Sequence, residues 1–222
     1  MAVDPVLTVA GLACRFGDRQ ALAGIDLTLG AGEFAFLTGP SGSGKTTLLR
    51  LLHGSLPWQE GSAVIAGHDL AAVTPANLYK LRRDVSMVFQ DFRILPDRTV
   101  FDNVALPLCV RGMEPGRLRH RVDAALVALD LAADAQRLCA ALPGGGQQRV
   151  AIARAVVAGP KIMLADEPTG NLDAALSAKV LTILRQFAAH GTAVLMATHD
   201  RALMAGAPDA RVFTLPGGEE NA

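Results

Sequence analysis

The clearest hydrophobic pattern in the chain is a set of four short apolar runs, each followed by polar or turn-forming residues. They cover residues 34–37, 85–89, 162–165 and 193–197. Short runs rich in β-forming residues predict buried strands. Helical patterns separate them, over residues 46–53 and 175–189 for example. This alternation predicts an α/β fold with a mainly parallel sheet covered by helices, and such a sheet binds ligands beyond the carboxyl ends of its strands.

The first thirty residues have a different pattern, in which two strand candidates flank a tight turn. The candidates are residues 6–16 and 20–30, and the turn contains Gly17 and Asp18. Residues 61–70 provide another strand candidate. Strands joined by so short a turn pair in antiparallel fashion. The sequence therefore predicts a small N-terminal antiparallel β-subdomain beside the parallel sheet.

The stretch from about residue 93 to residue 157 has a helical pattern. Within it, residues 116–132 carry one apolar stripe with a spacing of three or four residues. The stripe consists of Leu118, Val122, Leu126 and Leu129. We interpret the whole stretch as a helical subdomain inserted into the α/β core.

The composition is that of one globular domain without an overall excess of basic residues. Half of the 222 residues are hydrophobic, which is enough to bury a substantial core, and no Pro-, Gly- or Ser-rich linker divides residues 1–222. Lys plus Arg and Asp plus Glu both number 21, so the formal net charge is zero. A chain without a basic excess lacks the field that gathers nucleic acid. We therefore expect a single domain and no nucleic-acid partner.

The cysteines and the apolar runs indicate a compartment. Cys14, Cys109 and Cys139 lie far apart, are odd in number and fit no metal-ligand spacing, which is typical of buried thiols in a reducing compartment. The first residues do not have the pattern of a secretory signal, and no run reaches the ~18 apolar residues of a membrane span. We expect a cytoplasmic chain without a span of its own.

Residues 39–46 match the phosphate-loop pattern GxxxxGK[ST], between a predicted strand and a predicted helix. Backbone N–H groups and the positive end of the following helix can hold a phosphate there, and Lys45 adds a point charge for the β- and γ-phosphates. The Thr46 hydroxyl is a candidate ligand of Mg²⁺. The residues expected to contact the nucleotide in this loop are Gly39, Ser41, Gly42, Ser43, Gly44, Lys45, Thr46 and Thr47.

Polar side chains follow three of the predicted strands, at the edge where the phosphates should lie. Asp166 and Glu167 directly follow one apolar run, so Asp166 is a candidate for the Mg²⁺ shell and Glu167 for polarising the water that attacks the γ-phosphate. Gln90 and His199 follow two other strands. Either could contact the water, the metal or the γ-phosphate, although each could also be a capping or loop residue.

The order of these motifs resembles the nucleotide-binding domain of ABC ATPases over essentially the whole chain. The resemblance includes a signature-like stretch at residues 142–149 and the triplet Asn171-Leu172-Asp173. It implies ATP hydrolysis with ATP and Mg²⁺ as the ligands. Glu167, His199 and Gln90 would be catalytic, and Thr46, Gln90 and Asp166 would hold the metal.

The resemblance also implies a head-to-tail dimer, in which the signature of one subunit closes over ATP on the phosphate loop of a second copy. Gly144, Gly145 and Asp173 would contact the nucleotide in that way, and Phe16 matches the aromatic residue that stacks on adenine. The predicted glycine-rich helix start at residues 143–146 has no Lys-Thr pair of its own. Its helix dipole can still bind a phosphate, which suits contact with the nucleotide of a second copy. A core position for Phe16 is the alternative.

Residues 89–104 look most like the cell-division ATPases of this family. This likeness implies a permease-like integral membrane partner that controls cell-wall hydrolases, with the chain bound at the cytoplasmic face of the membrane. One alternative is the ATPase of a lipoprotein-releasing or macrolide-exporting system. Another is a nucleotide-switched scaffold that binds ATP and hydrolyses it weakly. Apolar Phe92, Ile94 and Leu95 are either a docking surface for the partner or ordinary core.

The signature departs from the family pattern at two positions, with Pro143 in place of Ser and Gly146 in place of Gln or Glu. We expect Pro143 in the first turn of a helix, where its fixed φ is suitable. The departure removes a hydroxyl donor to the γ-phosphate, worth roughly 1.5–3 kcal/mol. The hypothesis is that closure over ATP is weakened about ten- to hundredfold while ATP loading is nearly intact.

Overall fold

The computed structural model describes residues 5–216, so the ends of the expected domain, residues 1–4 and 217–222, lie outside the described part. Its strands are β1 (Pro5–Phe16), β2 (Arg19–Gly30), β3 (Phe34–Thr38), β4 (Glu60–Ile65), β5 (His68–Asp69), β6 (Val85–Val88), β7 (Ile162–Asp166), β8 (Ala193–Ala197) and β9 (Arg211–Thr214). Its helices are α1 (Lys45–Leu52), α2 (Leu78–Asp84), α3 (Val100–Val110), α4 (Pro115–Ala128), α5 (Gly144–Val156), α6 (Ala174–Ala189) and α7 (Arg201–Ala205).

The strands form two sheets. One sheet has the order β6-β7-β8-β3-β9 and is parallel throughout. The other has the order β2-β1-β4-β5 and is antiparallel. Both the mainly parallel sheet and the N-terminal antiparallel sheet are thus confirmed. The parallel strands bring the carboxyl ends of β3, β7 and β8 to one edge, with the ends of the apolar runs side by side.

Strand β9 was not predicted from the sequence. It pairs in parallel with β3 at the edge of the sheet, from Ala35 opposite Arg211 to Thr38 opposite Thr214. Three of its four residues are exposed. An edge strand of this kind has no apolar run, because little of its surface faces the core, and the hydrophobic pattern therefore does not reveal it.

The region between β6 and β7 contains α3, α4 and α5, as the helical pattern predicts. Helix α4 begins under a cap from Glu114, whose carboxylate accepts bonds from the N–H groups of Gly116 and Arg117 at 2.8 and 3.0 Å. The prediction that this helix continues to residue 132 was wrong. Asp130 lies in the left-handed region with φ 54°, which an α-helix cannot include, and α4 ends at Ala128.

The core is continuous between the helical region and the parallel sheet. Leu108 of α3, Val122 of α4 and Val150 of α5 belong to the same buried cluster as Val88 and Met163 of the sheet. A second cluster joins the antiparallel sheet, α1 and the opposite face of the parallel sheet. These shared cores support our proposal that the chain is one domain with an inserted helical subdomain at about residues 93–157.

The structure corrects the expectation that all three thiols are buried, and it separates Phe92 and Ile94 from Leu95. Cys14 and Cys139 are buried, but Cys109 is exposed because it lies on the outer face of α3, so not all thiols are buried. Phe92 and Ile94 are partly buried against the core, as the core interpretation expects. Leu95 is exposed.

Within residues 5–216, no helix combines the length and the apolar character that crossing a lipid bilayer requires.

Candidate ATP site

A cleft of about 830 Å³ opens at the carboxyl edge of the parallel sheet, which is the size range of small-molecule sites. It is lined by Phe16, Arg19, Ala21, Gly39, Pro40, Ser41, Gly42, Ser43, Gly44, Lys45, Thr46, Thr47, Gln90, Asp166, Glu167 and His199. The structure thus brings together the whole expected phosphate loop, both acidic residues and the polar residues that follow β6 and β8.

The phosphate loop joins β3 to α1 and needs glycine at its closest approaches. Gly44 has φ 91°, and a Cβ there would lie 2.5 Å from the carbonyl oxygen of Ala21 and from Leu22 Cδ2. The Nζ of Lys45 donates to the carbonyl oxygens of Gly39 and Pro40 at 2.8 and 2.9 Å. The lysine therefore lies across its own loop, where its charge faces the space that the phosphates would occupy.

Asp166 ends β7 and is almost fully buried, with 2% of its surface exposed. Its Oδ1 accepts a bond from the Thr46 hydroxyl at 3.2 Å. Its Oδ2 is buried and has no hydrogen-bond partner among residues 5–216. A buried carboxylate oxygen without a donor is costly unless a cation reaches it.

These residues fit Mg²⁺. The donors are oxygens from a hydroxyl, a carboxylate and the amide of Gln90, and Mg²⁺ binds through one or two carboxylates together with substrate phosphates. The described residues contain no cluster of three or more His, Cys, Asp or Glu side chains placed to hold a metal ion.

Burial raises the pKa of Asp166 above its usual value of 3.8, and the neighbouring carboxylate of Glu167 raises it further. The carboxyl group of Asp166 therefore binds its proton more tightly in the folded chain than in the unfolded chain. The ionised carboxylate lowers stability at every pH above the raised pKa, and this cost disappears as the pH falls toward 3.8.

Asp166→Asn is expected to stabilise the chain without nucleotide at pH 8, because a neutral amide is cheaper to bury than an ion. The gain should be on the order of 1 kcal/mol, or about 2–4 °C in Tm for a chain of this size. Thermal unfolding at pH 8 and pH 4.5 checks it, and the difference should shrink at the lower pH. A variant that is less stable than the wild type at pH 8 would contradict the assignment of a burial cost to this carboxylate.

Glu167 and His199 form a pair beside the phosphate loop. The Nδ1 of His199 and the Oε1 of Glu167 are 2.7 Å apart, and the side chain of His199 is 80% exposed while that of Glu167 is 17% exposed. This hydrogen bond raises the pKa of His199 above 6.5. The histidine is therefore protonated over a wider pH range than an isolated one and adds positive charge at the cleft.

The backbone of Glu167 is held in an uncommon conformation. Its φ is 47°, in the left-handed region that few non-glycine residues adopt, and its N–H donates to the carbonyl oxygen of Ala197 at 3.0 Å. Such a residue costs roughly 1–3 kcal/mol and persists only where the surroundings fix it. The surroundings thus hold Glu167 in a strained conformation, in which its side chain lines the cleft.

Gln90 lies two residues after the end of β6 and leads into a second strained segment. Phe92 and Arg93 have φ 57° and 48°, and each is expected to cost roughly 1–3 kcal/mol. The guanidinium of Arg93 lies 4.0 Å from the centre of the Phe89 ring. The segment that follows Gln90 is therefore held in one particular conformation by its surroundings.

Phe16 lies at the end of β1 on the rim of the cleft. Its side chain is exposed, with 47% of its surface accessible, and it lines the same cleft as the phosphate loop. The core alternative is therefore wrong. An exposed aromatic ring at the mouth of a nucleotide-sized cleft has a free face for stacking.

Gly144, Gly145 and Asp173 do not line this cleft. The two glycines begin α5, and the Asp173 side chain caps α6 by accepting a bond from the N–H of Leu176 at 2.8 Å. Pro143 was expected in the first turn of the helix, but it is the residue that precedes α5, with φ −62° and ψ 160°. Without a polar side chain, Pro143 gives the N–H groups of α5 no side-chain cap.

Some residues of the site were missed by the sequence reasoning. Arg19 and Ala21 line the cleft from β2, which carries no phosphate motif. Gln148 is fully buried in α5, and its Nε2 donates to the carbonyl oxygen of Glu167 at 3.4 Å. Its position in the signature-like stretch was the only signal for it, because the contact joins residues that are 19 apart in the chain.

The comparison with known families agrees with this site. The sequence model of the ABC transporter family matches residues 22–170, which is more than half of the chain. The chain therefore belongs to the ABC transporter family of ATP-binding cassettes, and it is an ATPase of that class.

Curated relatives place it close to one group within the family. It is 49% identical over 184 residues to the cell division ATP-binding protein FtsE of Escherichia coli strain K12, covering 83% of each chain. It is 40% identical over 185 residues to the FtsE of Bacillus subtilis strain 168, covering 83% of this chain and 81% of that one.

Solved structures show the same architecture. A dimeric ATP-binding cassette in a post-hydrolysis state, bound to ADP and Pi, matches with a TM-score of 0.87 at 32% identity, covering 97% of both chains. A second dimeric structure, of a bacterial ABC transporter cassette, matches with a TM-score of 0.87 at 33% identity. The predicted ABC nucleotide-binding fold is confirmed.

Proposed function

We propose that this chain is the ATP-hydrolysing subunit of an FtsE–FtsX-type membrane complex. In that complex, ATP turnover would control cell-wall hydrolysis during cell division. The observation that carries the proposal is the placement of the Glu167–His199 pair, at 2.7 Å, in the same cleft as a complete phosphate loop. The FtsE relatives favour the cell-division role over a lipoprotein-releasing or macrolide-exporting one. The chain would bind at the cytoplasmic face of the membrane through an FtsX-like integral membrane protein.

The phosphate loop would bind ATP through its N–H groups, the start of α1 and Lys45. Lys45 would exchange its two carbonyl partners, Gly39 and Pro40, for the β- and γ-phosphates. Phe16 would stack on adenine at the rim. Thr46, Asp166 and Gln90 would hold Mg²⁺, which neutralises charge on the phosphates when bound.

The chemical step requires a water molecule aligned with the γ-phosphate. The oxygen of the water forms a bond to the γ-phosphorus as the bond between that phosphorus and the leaving ADP oxygen breaks. The Glu167 carboxylate orients this water and accepts its proton. His199 fixes Oε1 of Glu167 and adds positive charge beside the transferring group. Gln90 would contact the water or the γ-phosphate from the adjacent strand.

A second copy of the chain would complete the site. Gly144, Gly145 and Asp173 lie outside the cleft of their own subunit, which is expected of residues that contact a partner's nucleotide. The helix start at Gly144 can receive a phosphate by its dipole. The solved cassettes that match this chain are dimeric, which supports a head-to-tail homodimer.

Lys45→Ala tests ATP binding. Losing a charged hydrogen-bond donor costs roughly 1.5–3 kcal/mol, so MgATP affinity should fall about ten- to hundredfold. Calorimetric titration of the purified chain with MgATP measures this. Lys80→Ala, which removes an exposed lysine outside the cleft, is the matched control and should bind normally. Equal affinities for the two variants would contradict the phosphate-binding role.

The membrane role needs a separate test, because ATP binding alone does not distinguish a motor from a scaffold. Purification of the native complex should recover an FtsX-like membrane protein with the chain, and phosphate release should be measured on that complex. Recovery of a lipoprotein-releasing or exporting permease would reject the cell-division role. Phosphate release no faster than that of Glu167→Gln would favour the scaffold instead.

A further inference from the structure

Arg154 connects the helix of the signature to the segment that follows Gln90. It lies near the end of α5, and its guanidinium donates to the carbonyl oxygens of Phe92 and Arg93 at 2.9 and 2.7 Å. The two accepting residues are 62 and 61 positions away in sequence. The side chain is partly buried, and burial lowers its pKa. This arginine therefore contacts backbone in place of solvent or an acidic partner.

The two carbonyls belong to the consecutive left-handed residues described above. Their turn is tight, since the N–H of Phe92 donates to the carbonyl oxygen of Phe89 at 3.1 Å. Two adjacent residues in this region need external support, because a side chain disfavours each of them. Arg154 supplies two charge-assisted bonds to the carbonyls that this conformation presents.

The far end of the same segment is fixed by a second buried group. The Asn103 side chain of α3 accepts a bond from the N–H of Leu95 at 2.8 Å and donates to its carbonyl oxygen at 2.9 Å. Between these two anchors the segment cannot adjust freely. At its start, Arg93 stacks on Phe89, and Gln90 reaches the cleft directly after that ring.

Helix α5 makes this anchor a link between two sites. It has 13 residues and begins at Gly144, so Arg154 lies about 15 Å along the axis from the signature end. A helix of this length moves as a rigid body. A displacement of the helix start would therefore be carried to the carbonyls of Phe92 and Arg93.

We propose that Arg154 is a positioning residue that aligns Gln90 of its own subunit when the signature end of the same α5 closes over the nucleotide of a second copy. This inference deepens the proposed function and rests on its dimer. Each subunit would then hydrolyse its ATP rapidly only while its signature is engaged with the other subunit. Two sites in the dimer become coupled through one side chain on each subunit.

A merely structural role is the competing explanation, and the chain contains a matched control for it. Arg111 at the end of α3 also bridges two backbone carbonyls, those of Ala158, at 2.6 Å, and Arg83. It contacts neither the segment after Gln90 nor α5 at these bonds. Arg111→Lys therefore removes the same kind of contact without touching the proposed link.

The experiment compares Arg154→Lys, Arg154→Met and Arg111→Lys with the wild type, each as a purified complex with the membrane partner. Turnover is measured against MgATP concentration. For Arg154→Met we expect kcat to fall about ten- to hundredfold, since a small misalignment costs up to about 10²-fold, with KM nearly unchanged. Arg154→Lys, which can keep one carbonyl bond, should recover part of kcat. Arg111→Lys should match the wild type in kcat and KM.

A second measurement reports the alignment without turnover. In a Glu167→Gln background, amide hydrogen exchange of residues 91–95 is followed with and without ATP. With Arg154 present, ATP should slow exchange there about tenfold or more, and with Arg154→Lys, which keeps at most one of the two bonds, this slowing should be clearly smaller. Thermal unfolding of each variant shows that the fold is retained.

The outcomes separate the inference from the proposed function. In one outcome the wild type turns over MgATP while both Arg154 variants keep the same kcat and KM as Arg111→Lys. That result overturns the role of Arg154 and leaves the proposed function standing. Equal losses in the Arg154 and Arg111 variants also overturn it, since they indicate a structural role. If Arg154→Met does not fold, the exchange result for Arg154→Lys decides. A wild type that does not bind ATP overturns both.

Discussion

Glu167→Gln is expected to lower phosphate release by about 10²- to 10⁴-fold while MgATP still binds. The amide has nearly the same shape as the carboxylate, and its oxygen can still accept the 2.7 Å bond from His199. It cannot accept the proton of the attacking water. Single-turnover phosphate release and a binding titration on the same preparation separate these two effects.

ATP-loaded Glu167→Gln should also accumulate as a dimer, because the second copy would complete the site around ATP that this variant does not hydrolyse. Light scattering with and without MgATP measures this. The control is Glu60→Gln, which makes the same change at an exposed position at the start of β4, outside the cleft. If Glu167→Gln released phosphate at the rate of this control, Glu167 would not be the proton acceptor.

Much of the fold follows from local patterns. Buried strands such as β7 and β8 are apolar throughout, so hydrophobic runs predict them, and a phosphate loop fixes the strand and helix on either side of it. Features that leave no clear hydrophobic pattern were not predicted. Strand β9 has an exposed pattern, and the end of α4 is set by the left-handed Asp130 and by Arg149, which donates to its carbonyl oxygen at 2.9 Å.

The candidate site divides in the same way. Motif residues such as Lys45 and Asp166 could be placed at one sheet edge, since parallel strands end together there. Contacts that cross the chain could not be predicted, because neither spacing nor composition encodes the pairing. Two contacts are of this kind: the hydrogen bond from Gln148 to the backbone of Glu167, and the bonds from Arg154 to the segment after Gln90. Both contacts support residues with positive φ, and the sequence does not reveal which non-glycine residues adopt that conformation.

Pro143→Ser is expected to strengthen ATP-driven dimerisation about ten- to hundredfold, at about 1.4 kcal/mol for each factor of ten. The restored hydroxyl could donate to the γ-phosphate of the second copy, and a hydrogen bond to a charged group is worth roughly 1.5–3 kcal/mol. Because position 143 precedes the first residue of α5, that hydroxyl would lie at the positive end of the helix. Turnover with the membrane partner should rise with dimerisation.

The structure adds a second effect of the same change. A serine in the capping position can accept a bond from the free N–H groups of α5, which proline cannot, and such a cap is worth about 0.5–2 kcal/mol. Pro143→Ser should therefore also raise the free energy of unfolding without nucleotide. The capping effect alone would change stability and leave dimerisation unaltered, so denaturant unfolding and sedimentation with MgATP distinguish the two contributions.

Pro115→Ser is the matched control for both effects. Pro115 begins α4, where the Glu114 carboxylate already caps the helix, and it lies outside the nucleotide cleft. It should change neither dimerisation nor turnover. If Pro143→Ser behaves the same way with the membrane partner present, the missing hydroxyl does not limit closure. The bonds that close the dimer would then come from the backbone of Gly144 and Gly145, which both variants retain.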